Sequence, residues 1–403
     1  MKKQFILAVI MMFNVVFGIT LTTSLLSLYL NKIGISLSSI GMIFAVGAIA
    51  AGFLRLLIGA ATDHFGRKKF VFCGIAGYVL FALGLVLAGE FFHFVALNLL
   101  LEISGAIFWT AFSAYFFDLL KKGKEGIEIG ERNAILYGSA TLAPLVAGLI
   151  VRFADFNALF LASAGIVLLA LLPAIRIKET IKAKSADIFD FRREYNDILN
   201  IKGFKTIFII IFLSNFVWTF WYIYMPIYLN NAGIATDKIG ILLSTMTGIG
   251  ALMQHPMGKK IDKLPAKWIL IPGFFAFWLG GIMFFMFKNF YWYLLSRTVL
   301  GIGSDATYWP AVGIFARITP KREHGGGWAV LMTGAAFAYG IGALLGGWLT
   351  ERFTIELVLK GAAFMALAIT LIIIPNKFLA TKGVKELKRH QILHLNHRHG
   401  VHK

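Results

Sequence analysis

Apolar residues occur along this chain in long blocks, and polar residues collect in the short segments between them. We delimit twelve such blocks, most of about twenty residues, the length of α-helix that crosses a hydrocarbon layer of ~30 Å. Helices are the expected spanning element, because lipid offers no partner to an unpaired backbone group and no alternating β-barrel pattern occurs. The predicted spans one to twelve run near residues 5–30, 36–58, 70–89, 93–119, 133–152, 156–175, 206–230, 238–258, 268–287, 290–316, 325–350 and 354–376.

Two polar segments organise these spans. Residues 177–205 form a charged linker that separates the first six spans from the last six, and residues 377–403 form a basic, His-rich tail. We therefore predict an N-terminal six-helix bundle over 1–176 and a C-terminal six-helix bundle over 206–376. The predicted fold class is an all-α membrane protein with twelve transmembrane helices in two six-helix bundles.

The composition agrees with a membrane location. Of the 403 residues, 58% are hydrophobic and 15% are charged, whereas soluble domains carry about 25% charged residues. The formal net charge of +19 would suggest nucleic acid binding in a soluble chain, but most Lys and Arg residues lie in the linker, the tail and the loops on one side. By the positive-inside rule that side is cytoplasmic. We expect a multi-pass protein of the cell membrane, monomeric, with both termini in the cytoplasm and no nucleic acid partner.

Several kinds of chemistry are not expected. The single cysteine, Cys73, excludes a disulfide framework and a Cys-based zinc cluster. The tail histidines lack a partnering carboxylate, so we expect a solvated tail and no metal site. There is no phosphate-binding G-x-x-x-x-G-K-[ST] motif, hydrolase elbow or His–Glu zinc motif, so neither ATP-driven pumping nor an enzyme is expected.

The two halves repeat at an offset of 199 residues. The matching segments are YLNKIGI (29–35) with YLNNAGI (228–234), GAATDHFGRKK (59–69) with GKKIDKLPAKW (258–268), and APLVAG (143–148) with GALLGG (342–347). The halves are therefore parallel duplicates related by pseudo-symmetry. A duplicated bundle tends to place its site between the halves near the midplane of the bilayer.

With these motifs the chain resembles the major facilitator superfamily, whose loop between helices two and three reads roughly G-x-x-x-D-R-x-G-R-K/R. The first copy has His64 where the family has arginine, and the second has Pro265 and Ala266 in place of Gly-Arg. The resemblance covers nearly the whole chain and implies transport by alternating access. The gating residues that it implies are Gly59, Asp63, Gly66, Arg67 and Lys68 with Asp118 at the end of span four, and Gly258, Asp262 and Lys267 in the second copy.

In proteins of this family the acid of the motif meets the start of helix eleven, here Gly325, and its basic residue meets an acid that ends helix four. These contacts are expected to hold the halves together when the cytoplasmic side is closed. A helix-five pattern of the family's drug–proton antiporters is present in degenerate form and is equally typical of ordinary small-residue packing. Its positions are Gly130, Ser139, Ala143, Pro144, Ala147 and Gly148. The family's helix-four arginine motif is missing from span four, and its form occurs in span ten at Arg297 and Gly301.

Ionisable side chains deep in a span are costly and indicate function. Glu102 lies near the centre of span four, with Gly105 and Trp109 on the same helical face. In span ten a base, a glycine, an acid and an indole follow one another at four-residue spacing, as Arg297, Gly301, Asp305 and Trp309. The segments GAIFWTA (105–111) and DATYWPA (305–311) resemble each other, so spans four and ten are expected to be symmetry mates. The resemblance to the family implies that these two helices face each other across the cavity. The candidate substrate and proton residues are Glu102, Asp305, Arg297, Trp109, Trp309, Trp218, Trp221, Tyr222 and Asn14.

An acid beside several indole rings suits an amphipathic cation, through charge pairing and cation–π contact. The alternative is a structural Asp305–Arg297 pair with aromatic residues that pack against lipid. Our leading hypothesis is a secondary transporter that exports an amphipathic or cationic solute, driven by a proton gradient and without a bound cofactor. Uptake of a polar or anionic metabolite by a symporter or facilitator, with Arg297 as anchor, is the second hypothesis. Lipid export stays open as a third, and a membrane-embedded enzyme is disfavoured.

Overall fold

The computed structural model describes residues 2–120, 125–180, 198–319 and 324–380, and it omits some side chains near the ends of spans two, five, eight and eleven. Each predicted span corresponds to a helix or to two consecutive helices. Span one is divided at Ser24–Leu25 and span six at Ala170. The helices, in chain order, are Lys2–Thr23 and Leu26–Lys32 (one), Leu37–Phe65 (two), Arg67–Leu87 (three), Phe91–Leu119 (four), Glu125–Phe153 (five), Phe156–Leu169 and Leu171–Arg176 (six), Phe204–Asn231 (seven), Thr236–Lys263 (eight), Lys267–Met283 (nine), Phe290–Ile318 (ten), His324–Arg352 (eleven), Ile355–Ile373 (twelve) and the short Lys377–Ala380.

Even-numbered spans begin on one side of the bundle, which we call the far side; spans two and four end on the other side, the linker side, near residues 177–180. The far-side helix starts are closed by polar side chains that satisfy otherwise unpaired backbone N–H groups. Ser36, Asp155, Asn289 and Thr354 each accept a hydrogen bond from the backbone N–H three residues later. Glu90 forms a capping box with His93 at the start of span four. These caps permit short loops on this side.

Nine helical segments in the described part of the chain are long and apolar enough to cross a membrane by length and composition. They are spans one to seven, eleven and twelve. Span nine is a shorter apolar helix, Lys267–Met283. Spans eight and ten carry more polar side chains, and several of these line the central cavity described below.

Small residues bring neighbouring helices together within each half. A Cβ atom on Gly74 of span three would lie 2.7 Å from the Cβ of Phe108 in span four. The equivalent glycine of the second half, Gly273 in span nine, is pressed in the same way against Ala306 of span ten, at 2.8 Å. The 199-residue repeat therefore marks equivalent packing positions in the two halves.

The halves meet along two seams, one between spans two and eleven and the other between spans five and eight. In the first seam, a Cβ on Gly41 would lie 3.1 Å from the Cα of Gly347. In the second, a Cβ on Gly240 would lie 3.1 Å from the Cα of Gly148. These two contacts are related by the repeat, because Gly41 is equivalent to Gly240 and Gly148 to Gly347.

Each seam also carries a polar contact at its far-side end. Glu351 accepts a hydrogen bond from the backbone N–H of Ser38 at 3.1 Å, and Arg152 forms an ion pair with Asp237. Ser38 is the repeat equivalent of Asp237, and Arg152 is the equivalent of Glu351. The two halves are thus held together on the far side by a pair of pseudo-symmetric contacts.

Gly148→Ala is expected to weaken this far-side closure. The added Cβ would lie 2.7 Å from the Thr236 carbonyl oxygen and 3.0 Å from the Asp237 Cα, and backbone atoms cannot move aside as a flexible side chain can. Overpacking of this kind costs about 1–3 kcal/mol. The measurement is the distance between spin labels at Asn157→Cys and Lys288→Cys, both exposed on the far side, in a Cys73→Ser background.

The matched control is Gly138→Ala in the same helix, where a Cβ meets nothing within 4 Å. The label distance should lengthen in a substantial fraction of molecules for Gly148→Ala and stay unchanged for Gly138→Ala. Equal distance distributions for both variants would contradict the closure role of the glycine seam.

Candidate functional site

A cavity of about 350 Å³ lies between the two halves at the middle of the spans. Its lining is mainly aromatic and small polar side chains, with an acid and a base from span ten. The described lining comes from spans one, five, seven, eight, nine, ten and twelve. It includes Thr20, Tyr137, Ser214, Asn215, Trp218, Trp221, Tyr222, Thr247, Gly250, Phe277, Arg297, Asp305, Tyr308 and Trp309.

Asp305 is held in the cavity wall by its own helix and by span eight. The Trp309 indole N–H, one turn further along, donates a hydrogen bond of 2.9 Å to Asp305 Oδ1. The other carboxylate oxygen faces Gly250, where a Cβ atom would collide with it. Trp309 is in turn packed edge-on against Tyr137 of span five, with ring centroids 6.0 Å apart. The acid is therefore oriented by one hydrogen bond and by the missing side chain of a glycine.

Arg297 lies in the same wall and is 4% exposed. Its Nε donates a hydrogen bond of 3.2 Å to the carbonyl oxygen of Leu242 in span eight. No ion pair joins Arg297 to Asp305 among the described residues. Eight positions of helix separate them by about 12 Å of axial rise, which explains why the structural pairing considered from sequence does not form.

The aromatic residues of span seven divide between cavity and core. Trp218 and Tyr222 stack on each other, with centroids 4.6 Å apart and planes at 20°. The Tyr222 hydroxyl donates a hydrogen bond of 3.3 Å to the Thr23 carbonyl oxygen of span one and so joins the two halves. Trp221 is 1% exposed and packs edge-on against Phe284 at 5.3 Å, so it belongs to the core as well as to the lining.

Glu102 lies outside the described lining, although we expected span four to face span ten across the cavity. Span four packs instead against spans two and three. The Glu102 carboxylate interacts electrostatically with Arg55 of span two and with three tyrosines. These are Tyr78 of span three, Tyr222 of span seven and Tyr339 of span eleven. The acid thus interacts electrostatically with side chains of both halves, including Tyr222 of the cavity lining.

Arg55 connects this acid to the other half. Its guanidinium Nη1 donates a hydrogen bond of 3.3 Å to the Met332 carbonyl oxygen in span eleven. It also interacts electrostatically with Tyr308, a lining residue of span ten. Arg55 is not among the site residues predicted from the sequence, although it lies as deep within span two as Glu102 lies within span four.

The predicted stripe of Glu102, Gly105 and Trp109 packs against span three. A Cβ on Gly105 would lie 3.0 Å from the Tyr78 hydroxyl, and the Trp109 side chain hydrogen-bonds with Tyr78. Asn14 is also outside the described lining, and its amide donates a hydrogen bond of 2.9 Å to the Ile10 carbonyl oxygen of its own helix.

The motif between spans two and three forms a charged cluster on the linker side. Gly66 adopts φ +89°, which turns the chain between the two helices at a position where side chains are strained. Arg67 forms an ion pair with Asp118 at the end of span four and donates a 2.6 Å hydrogen bond to the Ala114 carbonyl oxygen. Both partners of the ion pair belong to the N-terminal half, so this pair does not itself join the halves.

Glu179, which is not among the site residues predicted from the sequence, completes this cluster. Its carboxylate accepts hydrogen bonds from the backbone N–H groups of Arg67 at 3.1 Å and Lys68 at 3.0 Å, at the positive end of the span-three dipole. The Lys68 Nζ donates to the Ile175 carbonyl oxygen at 2.7 Å. No local sequence signal predicts this contact, because Glu179 follows the motif by more than a hundred residues.

The remaining predicted gating residues are described only in part. The description does not cover the side chains of Asp63 and Asp262 or the surroundings of Gly59, Gly258 and Gly325. Lys267 is half-buried, with its ammonium 5.6 Å from the ring centroid of Trp268. The His-rich tail, 381–403, and most of the linker, 181–197, lie outside the description as well.

Comparison with known proteins places these features in a family. The model of the Major Facilitator Superfamily matches residues 8–250 and 207–396. The MFS-type transporter MJ1560 of Methanocaldococcus jannaschii is 21% identical, over 92% of this chain and 97% of its own length. Quinolone resistance protein NorA of Staphylococcus aureus is 21% identical, over 80% of this chain and 84% of its own. A solved point mutant of the nucleoside transporter NupG superposes with a TM-score of 0.79 at 14% identity, over 93% of this chain and 99% of that one, which confirms the predicted fold class.

The Arg67–Asp118 ion pair is expected to contribute to folding stability as a unit. Its guanidinium side chain is 12% exposed, so each single change, Arg67→Ala or Asp118→Asn, should lower the unfolding temperature in detergent. The double variant should lose less than the sum of the two, with a coupling free energy of about 0.5–3 kcal/mol. As a control, Arg67→Ala combined with Glu90→Gln on the far side should be additive. Additive behaviour of the Arg67 and Asp118 changes would contradict the pairing.

Proposed function

This chain belongs to the Major Facilitator Superfamily and is a secondary transporter, and from that premise we propose that it exports an amphipathic, cationic organic solute in exchange for protons. The observation that carries the proposal is Asp305, an acid without a basic partner among the described residues, set in a central cavity walled by aromatic rings. A cation there gains both charge pairing and cation–π contact. The similarity to the multi-drug resistance efflux pump PmrA of Streptococcus pneumoniae, 27% identical over 38% of this chain and 40% of its own length, agrees with export.

In this proposal Glu102 is the principal proton carrier and is separate from the substrate acid. Its position outside the described cavity lining supports a site that a proton can occupy while solute occupies the cavity. Its electrostatic interaction with Arg55 supports coupling, because Arg55 also donates a hydrogen bond to span eleven across the seam. Neutralising Glu102 removes one of the interactions that orient Arg55 and thereby changes the contact between the halves.

The transport cycle that we propose alternates between closure on the far side and closure on the linker side. The paired contacts at Gly41–Gly347 and Gly148–Gly240 support the first state. For the second, we propose that Asp63 meets the start of span eleven at Gly325, with the Arg67–Asp118 pair fixing the loop that carries it. We further propose that the linker side is cytoplasmic, as the positive-inside rule indicates, with 177–205 as linker and 377–403 as tail, in a monomer of the cell membrane.

The second candidate function is uptake of a polar or anionic solute. It is favoured by Arg297, which lines the same cavity and forms no ion pair with a carboxylate among the described residues. In that case Arg297 anchors the solute and Asp305 takes the proton.

Glu102→Gln is expected to abolish gradient-driven transport, because glutamine keeps the shape of the side chain but cannot carry the proton. The measurement is efflux of a fluorescent cationic dye from proteoliposomes on which a pH gradient is imposed. Counterflow exchange of the dye without a gradient should persist, which separates loss of coupling from loss of folding.

The matched control is Glu90→Gln, an acid at the far-side start of the same helix. It should retain gradient-driven transport. Wild-type coupling in Glu102→Gln would contradict the assignment of the proton carrier.

Asp305→Asn is expected to weaken binding of a monocationic aromatic dye by about tenfold or more, the effect of losing one charge-assisted contact in a desolvated site. Arg297→Gln should weaken it less or not at all. Fluorescence titration of the purified protein in detergent measures both. The reverse order of effects would favour the uptake hypothesis.

A further inference from the structure

We propose that the natural solute of the central cavity is dipolar: an aromatic molecule with a cationic group at Asp305 and an anionic group at Arg297. The inference rests on the proposed function and names the substrate class more narrowly than a simple cation. It follows from the way span ten presents two opposite charges to one cavity without letting them neutralise each other.

Two contacts define the register of spans eight and ten. Arg297 reaches the Leu242 carbonyl of span eight, and Asp305 faces Gly250 of the same span. Leu242 and Gly250 are eight residues apart in span eight, and Arg297 and Asp305 are eight residues apart in span ten. Because both spans begin on the far side, the two contacts lie about 12 Å apart along parallel helices. The basic end of the cavity is therefore nearer the far side than the acidic end.

Few contacts compensate the charge of either group. Arg297 is 4% exposed, and its only described hydrogen bond is the one from Nε to a carbonyl oxygen. Asp305 accepts one hydrogen bond, from an indole N–H. A buried charge without an opposite charge is costly, and neither residue has an ion-pair partner in the part of the chain that the structure describes. A ligand carrying both charges satisfies both sites.

Aromatic rings of spans seven, nine and ten line the cavity around the two charged groups, among them the stacked pair Trp218 and Tyr222, with Phe277 and Tyr308. Flat apolar surfaces of this kind hold an aromatic body. The volume of about 350 Å³ lies at the lower end of the range for drug-sized ligands. One ring system with two short charged arms fits this space.

A ligand with one charge leaves one site uncompensated. A monocation at Asp305 leaves the guanidinium buried without a counter-charge, and a monoanion at Arg297 leaves the carboxylate in the same condition. The dipolar class thus reconciles the two features that separately favour cation export and anion uptake.

The test uses three probes built on one naphthalene fluorophore. The first carries an ammonium arm and a carboxylate arm at opposite ends, with charges about 12 Å apart to match the rise of eight helical residues. In the second the carboxylate is a methyl ester, which leaves a monocation. In the third the amine is acetylated, which leaves a monoanion. Each is titrated against the full-length protein in detergent, with wild type, Asp305→Asn and Arg297→Gln.

Wild type is expected to bind the dipolar probe roughly tenfold more tightly than either singly charged probe. Arg297→Gln should reduce the affinity for the dipolar probe to that of the monocation, without weakening the monocation itself. Asp305→Asn should reduce it to that of the monoanion. Each variant acts as the control for the other, because a collapsed cavity would weaken all three probes together.

Equal affinity of wild type for the dipolar and monocationic probes would overturn the inference. So would an Arg297→Gln variant that weakens both probes equally, because a purely structural arginine predicts that result. Failure of the proposed function has a different signature: no probe moves across proteoliposomes under a pH gradient, whatever the order of affinities. A monocation that is transported without any dipolar advantage leaves export standing and removes the dipolar class.

Discussion

The close approach of glycines between the two halves is the contact on which the rest of the site depends. At Gly41–Gly347 and Gly240–Gly148 the helices meet backbone to backbone, so the distance between the halves is set without side chains. Helices that approach so closely gain packing that lipid cannot supply. Because both glycine contacts lie toward the far side, they close the space between the central cavity and that side. The Arg152–Asp237 pair and the Glu351–Ser38 contact then cover these seams at the far-side surface.

The second constraint is the cost of charge inside the bilayer. In the part of the chain that the structure describes, the ionisable groups at depth include Arg55, Glu102, Arg297 and Asp305. They are not arranged as two direct ion pairs among the described residues. Arg55 instead contacts a carbonyl of the opposite half while interacting with Glu102, and Arg297 and Asp305 face one cavity at different heights. Charges left available in this way are expensive to maintain, and ligands and protons are the partners that can compensate them.

The sequence predicts the spans well because apolar length and loop polarity are local properties. The predicted span ten, 290–316, is the helix Phe290–Ile318, while span two continues from 58 to Phe65 because polar residues extend a helix beyond the lipid. Depth likewise identifies Asp305 and Arg297, and both line the cavity. The neighbouring helix against which a span packs is not determined by the sequence of that span alone. Span four turns the Glu102 stripe toward Tyr78 of span three, which no periodicity within span four predicts, and the contact from Glu179 to span three depends on folding of the whole half.

Divergence between the duplicated halves explains why most of the residues that line the cavity belong to the C-terminal half. Gly105 and Trp109 of span four correspond, at an offset of 200, to Asp305 and Trp309 of span ten. In the first half the Tyr78 hydroxyl fills the space beside Gly105, and Trp109 hydrogen-bonds with that tyrosine. In the second half Trp309 bonds to the acid, and Gly250 leaves room for the carboxylate in the wall. The same helix position therefore serves packing in one half and lines the cavity in the other. The glycine contacts between the halves are symmetric, whereas the helix faces away from these contacts are free to diverge. One half of a duplicated bundle can therefore take the solute while the other takes the proton.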